Sequence, residues 1–165
     1  MLADGQTERA QAYLDSLLDK AGRELQAADT GNYMIDLILN SRLAAARESG
    51  ACVRVKAVGI PDTLHIPDDE LSALLGNALD NAVAAAGAAG EGGWIDIDLH
   101  VRGQMLYIGI SNSCSDPSAA SSGKTRRKGY GQMIMQKIVE RYQGMMDTES
   151  KGGSYRVSFL LPVIA

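Results

Sequence analysis

The pattern of apolar and polar residues divides the chain into a helical beginning and a longer stretch in which strands alternate with helices. From residue 6 to about residue 28, apolar residues recur every three or four positions, which predicts an amphipathic helix whose apolar stripe needs a partner surface. A second helix is predicted over Tyr33–Glu48, because residues 29–32 and 49–50 are of types that end or begin helices.

The rest of the chain alternates between the two-residue period of strands and the longer period of helices. A strand is predicted over Cys52–Val58, and Pro67 followed by three acidic residues opens a helix that should run to about residue 86. Further on, the pattern predicts a hairpin over 94–110, a helix over 129–143 and a last hairpin over 145–162. This order predicts one α/β domain, a two-layer sandwich in which helices cover one face of a mixed sheet.

Composition and charge restrict the class of function. Apolar residues make up 45% and charged residues 22%, as in an ordinary globular protein, and the net charge of -4 argues against a general nucleic-acid binder. The two cysteines have no metal-ligand spacing and indicate reduced thiols in a cytosolic protein. No run of about 18 apolar residues and no signal pattern occurs, so we expect no membrane contact here and a parent protein anchored by other segments.

Two asparagines on the helix that begins at Pro67 are the first candidate site. Asn77 and Asn81 lie one turn apart along the border of its apolar face. Their amide oxygens suit Mg²⁺, which prefers oxygen ligands and takes several of them from water and substrate phosphates. On these residues alone, polar residues at a helix edge are the simpler interpretation.

The second candidate is the basic, glycine-containing stretch over 124–131, which precedes a predicted helix. Gly129 and Gly131 would let backbone N–H groups approach a phosphate, and the helix N-terminus would add a favourable field. Because this stretch follows a polar segment without periodicity, it also fits a mobile lid. The alternative is an ordinary loop with solvated charges.

Three motifs in sequence order carry a resemblance to a known family. Residues 75–82 (Leu-Gly-Asn-Ala-Leu-Asp-Asn-Ala) resemble the N box of the GHKL ATP-binding superfamily. Gly129-Tyr130-Gly131 and the helix after it resemble the second glycine box, and residues 152–162 are similar to the closing motif of histidine kinase catalytic domains. Residues 40–50 and 112–114 look most like the Agr-type quorum-sensing peptide-receptor kinases.

This resemblance implies a Bergerat-type ATP-binding fold over residues 50–165, and identifies residues 1–49 as a helical remnant of the dimerisation hairpin and linker. It implies that Asn77 and Asn81 hold Mg²⁺ and the phosphates of ATP, with Asn77 and Lys124 as the catalytic residues. It further implies a phosphate-binding lid and hinge formed by Lys124, Arg127, Lys128, Gly129, Tyr130 and Gly131.

Asn112 departs from the family pattern. It stands where the first glycine box of the family has the aspartate that accepts a hydrogen bond from the adenine amino group. An asparagine carbonyl can accept the same bond but lacks the charge, so we expect adenine recognition to survive in weaker form. Without the resemblance, Asn112 is a plain turn residue.

The implied activity is that of a two-component sensor histidine kinase, with a response regulator as the later phosphate acceptor. ATP-hydrolysing relatives have a water-activating glutamate one turn before the Mg²⁺-binding asparagine, where this chain has Asn77, and this fits transfer to a protein side chain better than hydrolysis. His65 and His100 lie outside the first helix, so the acceptor histidine is expected elsewhere, and this chain should not autophosphorylate. We expect a homodimer through the first helix.

Two alternatives stay open. The first is a serine kinase of the anti-sigma type, which shares the fold but phosphorylates a separate protein. The second is a degenerate, non-catalytic module that retains only dimerisation and partner binding, in keeping with the altered Asn112 segment.

Overall fold

The computed structural model describes residues 4–25, 28–115 and 125–163, which contain four helices and five strands. The helices are α1 (Asp4–Leu25), α2 (Tyr33–Glu48), α3 (Asp68–Ala88) and α4 (Thr125–Arg141). The strands are β1 (Cys52–Val58), β2 (Trp94–Arg102), β3 (Met105–Ser113), β4 (Met145–Lys151) and β5 (Ser154–Pro162).

The strands form one mixed sheet in the order β1-β2-β3-β5-β4. β1 runs parallel to β2, while the β2–β3, β3–β5 and β4–β5 pairs are antiparallel. β1 and β2 can be parallel because α3 lies between them in the chain and returns it to the same edge of the sheet. Antiparallel strands need only a short hairpin. The predicted two-layer α/β architecture with a mixed sheet is therefore confirmed.

The helix layer packs α3 between α2 and α4 and against β2 and β3. Alternate residues of each central strand point toward this layer, so one face of the sheet and one face of each helix share an aliphatic core. The largest fully buried side chains of this core are Phe159, Ile35, Leu39, Leu43, Leu71, Leu74, Leu75, Leu79, Ile95, Leu99, Leu106 and Ile108.

Asn32 holds the start of α2 in place. Its Oδ1 accepts a hydrogen bond from the backbone N–H of Ile35 at 3.0 Å, which satisfies an unpaired donor of the first turn. Its Nδ2 donates to the carbonyl oxygens of Pro61 and Asp62 at 2.9 and 3.1 Å. One side chain therefore joins α2 to the connection between β1 and α3.

Two element boundaries differ from the sequence prediction near the candidate site. β3 continues to Ser113, so Asn112 is a strand residue and not part of a turn. α4 begins at Thr125, four residues before the predicted start, so Gly129 and Gly131 lie inside a helix and not in a loop. The basic stretch is therefore helical from residue 125, where a loop was expected, and the helix predicted from residue 129 is confirmed over 129–141.

The apolar stripe of α1 is exposed where the structure describes its side chains. Tyr13, Leu14, Leu17 and Leu18 all lie open to solvent. In the described ranges, no helix combines the length and the apolar character needed to cross a membrane.

Candidate functional site

The two candidate asparagines lie in the middle of α3, at the edge of its buried face. The helix begins after Pro67 with Asp68, Asp69 and Glu70, whose charges oppose the positive end of the helix dipole. The predicted apolar face of α3 is buried as expected, whereas Asn77 and Asn81 are half-buried. Their amides are therefore partly accessible to solvent.

Asn77 lies directly against α4. Its Nδ2 donates to the carbonyl oxygen of Ala73 at 2.6 Å, which fixes the amide plane and leaves Oδ1 on the other side. A Cβ atom placed on Gly131 would lie 3.0 Å from this Oδ1. The N box and the second glycine box, which are far apart in sequence, therefore meet at this contact.

Asn81 follows one turn later and is half-buried. It makes no hydrogen bond to any residue that the structure describes, so its amide oxygen is available to a ligand. The intervening Asp80 faces α2 instead, where both of its carboxylate oxygens accept hydrogen bonds from Arg42 Nη1, at 3.1 and 3.2 Å. The asparagines and Asp80 thus serve different sides of the helix.

The donor set along α3 fits a hard cation only in part. Two neutral amide oxygens supply a minority of the six positions that Mg²⁺ requires, so phosphates and water would have to supply the others. Within residues 4–25, 28–115 and 125–163, no group of three or more histidine, cysteine or acidic side chains could hold a metal without such help. The residues fit a metal that arrives together with a triphosphate.

Asn112 is almost fully buried, at 1% exposure, near the end of β3. Its Nδ2 donates to the carbonyl oxygen of Ser113 at 2.9 Å, which leaves Oδ1 as an acceptor. By strand register its neighbours are Ile95 and Tyr155, and its side chain lies on the face of the sheet that the helices cover. This position suits recognition of a donor on a buried ligand better than a turn would.

Tyr155 connects the neighbouring strand to α4, and the sequence analysis did not single it out. Burial raises the pKa of its phenol, while hydrogen bonds with Gln132 and Thr148 partly oppose that shift. The sequence does contain a signal for this residue, because Tyr155 is the aromatic residue of the closing motif over 152–162. Its half-buried hydroxyl lies within hydrogen-bonding reach of Gln132 in the second turn of α4.

The far end of the α3–α4 pair is closed by a polar cluster. Arg141 near the end of α4 forms an ion pair with Glu70 in the first turn of α3. Burial and hydrogen bonding to Glu70 raise the pKa of Tyr142. These contacts help to hold α4 along α3, and so keep Gly131 against Asn77.

The predicted basic residues of the lid cannot be placed. Lys124 lies outside the described residues, and so do the side chains of Arg127 and Lys128. Gly129 and Tyr130 lie on the exposed side of α4, and Tyr130 is 62% exposed. Of the predicted lid and hinge, only Gly131 is seen in contact with a candidate ligand residue.

A comparison with protein families identifies the family of this chain. The model of the GHKL domain family matches residues 68–162, which include α3, Asn112 and α4. Because this match spans more than half of the chain, the chain belongs to the GHKL domain family. No curated protein sequence matches the chain.

Solved structures show the same fold at low sequence identity. The catalytic domain of histidine kinase ThkA superposes with a TM-score of 0.65 at 19% identity, over 80% of this chain and 93% of that one. Histidine kinase AdeS of Acinetobacter baumannii gives 0.62 at 13%, over 96% and 81%. A histidine kinase of Burkholderia phymatum gives 0.63 at 16%, over 93% and 81%. The fold is that of histidine kinase catalytic domains.

Proposed function

We propose that this chain is the ATP-binding catalytic domain of a sensor histidine kinase. The observation that carries the proposal is the contact between Asn77 of the N box and Gly131 of the second glycine box. This contact supports the proposal because the Asn77 amide oxygen lies beside α4, the helix that follows the segment expected to cover the phosphates, and Asn81 follows one turn later on α3. Asn112, on the same side of the sheet, offers a buried acceptor for the adenine amino group.

The chain's own residues would act mainly by positioning. Mg²⁺, when bound with ATP, supplies charge neutralisation at the phosphates. Asn77 and Asn81 would hold the metal and orient the phosphate chain along α3, with Lys124, Arg127 and Lys128 facing it from the other side. Since Asn77 is an amide and cannot act as a base, the site favours transfer to a protein side chain over activation of water.

The acceptor in this proposal is a histidine on another segment of the parent protein. His65 lies in the loop before α3, with its ring centroid 6.1 Å from that of Tyr142. His100 lies in β2, stacked on Tyr107 at 4.8 Å. Neither is on α1, the helix that we assign, within residues 1–49, to the dimerisation hairpin. The exposed stripe of α1 would then form a homodimer, and a response regulator would receive the phosphoryl group.

The likeness of residues 40–50 and 112–114 to Agr-type kinases supports a quorum-sensing parent for residues 50–165. A cytoplasmic position below a membrane-bound sensor would follow from that parentage. Asn40 helps to fix this segment, because its amide exchanges hydrogen bonds with the backbone of Ala28, at 2.7 and 3.1 Å.

A titration of the purified chain with ATP, with and without Mg²⁺, tests the nucleotide site. We expect Mg²⁺-dependent binding that Asn81→Ala lowers by about tenfold or more, since a metal ligand is lost. Asp80→Ala is the matched control, because Asp80 faces Arg42 and not α4, and it should bind as the unaltered chain does. Equal affinity of the Asn81→Ala chain would refute the metal role, and no binding in either condition would leave a non-catalytic module.

A second experiment tests the acceptor. Incubation with ATP labelled at the γ-phosphate should leave the chain without covalent label. Acid-labile label on the chain would show that His65 or His100 accepts phosphate, and acid-stable label on a partner's serine would establish a serine kinase instead.

A further inference from the structure

The face of the sheet that points away from the helices, here called the open face, carries an ordered pattern of side chains. Arg54 and Asp98 on this face have 73% and 50% of their side-chain area exposed. Strand register arranges the face in three rows that each cross the sheet from β1 to β4. The rows are Arg54-Asp96-Ser111-Arg156-Glu149, Lys56-Asp98-Gly109-Ser158-Asp147 and Val58-His100-Tyr107-Leu160-Met145.

The charges on the open face alternate by strand. Within these three rows β1 contributes cations, β2 contributes anions, β3 is uncharged, β5 contributes Arg156 and β4 contributes anions. Outside the rows, Arg102 at the end of β2 and Lys151 at the end of β4 each add a cation to the same face. The third row has no acidic or basic side chain other than His100, and its ends, Val58 and Met145, are 58% and 69% exposed. If a second sheet with the reversed strand order lies over this one, the cations of β1 face the anions of β4, and the anions of β2 face Arg156 of β5.

We propose that the open face binds the open face of a second copy of this chain, through a two-fold axis that runs along β3. A two-fold axis in that position places β1 over the partner's β4, β2 over its β5, and β3 over its β3. Within one copy Arg54 donates two hydrogen bonds to Asp96, at 2.8 and 2.9 Å. In the dimer Arg54 also meets Glu149 of the second copy, Asp96 also meets Arg156, and Lys56 meets Asp147. In the third row Val58 on β1 meets Met145 on β4 of the second copy, so the apolar side chains at the two edges of the sheet contact each other.

The centre of the face has the shape that this packing needs. Gly109 and Ser111 leave a depression of about 650 Å³ beside Tyr107, flanked by Arg54, Asp96 and Arg156. Two sheets packed face to face lie about 10 Å apart, which the small central residues allow while long charged side chains reach across. The Tyr107 ring lies over Gly109, whose added Cβ would come 2.6 Å from the tyrosine hydroxyl oxygen. Only a residue without a side chain allows this.

The size and polarity of the face set the strength of the contact. Five strands with three outward residues each cover about 24 by 20 Å, so a pair of copies would bury on the order of 1,000 Å² in total. Interfaces of this size are reversible, and charge pairs at their surface are screened by salt. We therefore expect a monomer–dimer equilibrium that weakens as the ionic strength rises.

Lys56 and Asp147 provide a test that no contact within one copy can imitate. They lie on the two edge strands, four strand spacings or about 19 Å apart, so they cannot pair in the same molecule. Sedimentation of the full chain over a range of concentrations should show association weakened at least about tenfold by Lys56→Glu or by Asp147→Lys alone, because symmetry repeats each like-charge pair twice. The chain that carries both changes should associate as the unaltered chain does.

Lys137→Glu is the matched control, since it makes the same charge change on exposed α4 and should leave the association unchanged. A chain that stays monomeric would overturn the proposal. Single variants that associate normally would also overturn it, because association would then pass through another surface such as α1. Failure of the double variant to regain the association of the unaltered chain would likewise overturn the proposal. Nucleotide affinity should be the same in all these chains, so the result does not depend on the proposed function.

Discussion

Asn77 and Gly131 lie so close that the absence of a side chain at Gly131 is what leaves room for the Asn77 amide. The gap between a Cβ at Gly131 and Asn77 Oδ1 would be 3.0 Å, and the amide is held from behind by the carbonyl of Ala73. The glycine of the second motif therefore acts on the ligand residue of the first motif by steric means. This differs from the hinge that the sequence pattern predicts for Gly129 and Gly131.

Gly131→Ala should separate stability from nucleotide binding. Alanine inside a helix gains about 0.5–1 kcal/mol over glycine, so the free energy of unfolding should not fall. The new methyl group should push Asn77 Oδ1 aside, and Mg-ATP affinity should drop by about fivefold or more, as for one lost hydrogen bond.

Gly129→Ala is the control for this prediction, because a Cβ at Gly129 meets nothing within 4 Å. It should raise the melting temperature while nucleotide affinity stays unchanged. If both variants lose affinity equally, flexibility of the α4 start and not contact with Asn77 explains the need for glycine.

Asn112 should determine the preference of the site for ATP over GTP. Since its Nδ2 is used by Ser113, Oδ1 remains an acceptor, and it suits the amino group of adenine but not the carbonyl that guanine carries at the same ring position. Asn112→Ala should lower ATP affinity by about tenfold and leave GTP affinity nearly unchanged. Competition titrations measure the ratio, and an unchanged preference for ATP would exclude Asn112 from base recognition.

Asn112→Asp should destabilise the chain by an amount that depends on pH. A buried carboxylate facing the Ser113 carbonyl would have a raised pKa, so this variant should be least stable near neutral pH and recover as the pH falls toward 4. Chemical denaturation at both pH values measures the difference from the unaltered chain. Equal destabilisation at both would point to lost packing and not to charge.

The ion pair between Arg42 and Asp80 should contribute little to stability. Their side chains are 44% and 57% exposed, and exposed pairs contribute about 0.2–1 kcal/mol. A double-mutant cycle with Arg42→Ala and Asp80→Ala should give a coupling energy in that range that shrinks in high salt. A coupling that is insensitive to salt would show that the two side chains interact by short-range hydrogen bonding and not by screened charge attraction.

Tyr155 should make folding sensitive to alkaline pH. Its pKa is raised in the folded chain, so its contribution is complete below the ordinary tyrosine pKa of about 10 and is lost as the pH rises through the folded value. Tyr155→Phe should therefore lose less stability than the unaltered chain between about pH 9 and pH 11. Identical slopes in that interval would show that folding does not shift the pKa of this phenol.

Local signals located most elements from the sequence. The bounds of α2 and β1 agree with the prediction because Asn32, Gly50 and strict alternation mark them within a few residues. The start of α4 was placed four residues late, at Gly129, because the basic residues before it carry no apolar periodicity, whereas the helix begins at Thr125.

The site was predicted in part, for a similar reason. The asparagine pair was identified on α3, but its meeting with Gly131 depends on α4 packing along α3, which no local pattern encodes. The burial of Asn112 follows from β5 pairing with β3, a neighbour that comes much later in the chain. The positions of Lys124, Arg127 and Lys128 stay predictions.

Trp94 is the only tryptophan of the chain, and it lies at the start of β2 on the edge of the open-face depression. Its backbone N–H is held by Ser113 Oγ at 2.9 Å, so its surroundings are well ordered. The sheet separates its ring from Asn77 and Asn81. The fluorescence of Trp94 should consequently change when a second molecule covers that face and should change little when nucleotide binds. The unaltered chain can therefore be used to distinguish the two events without an added label.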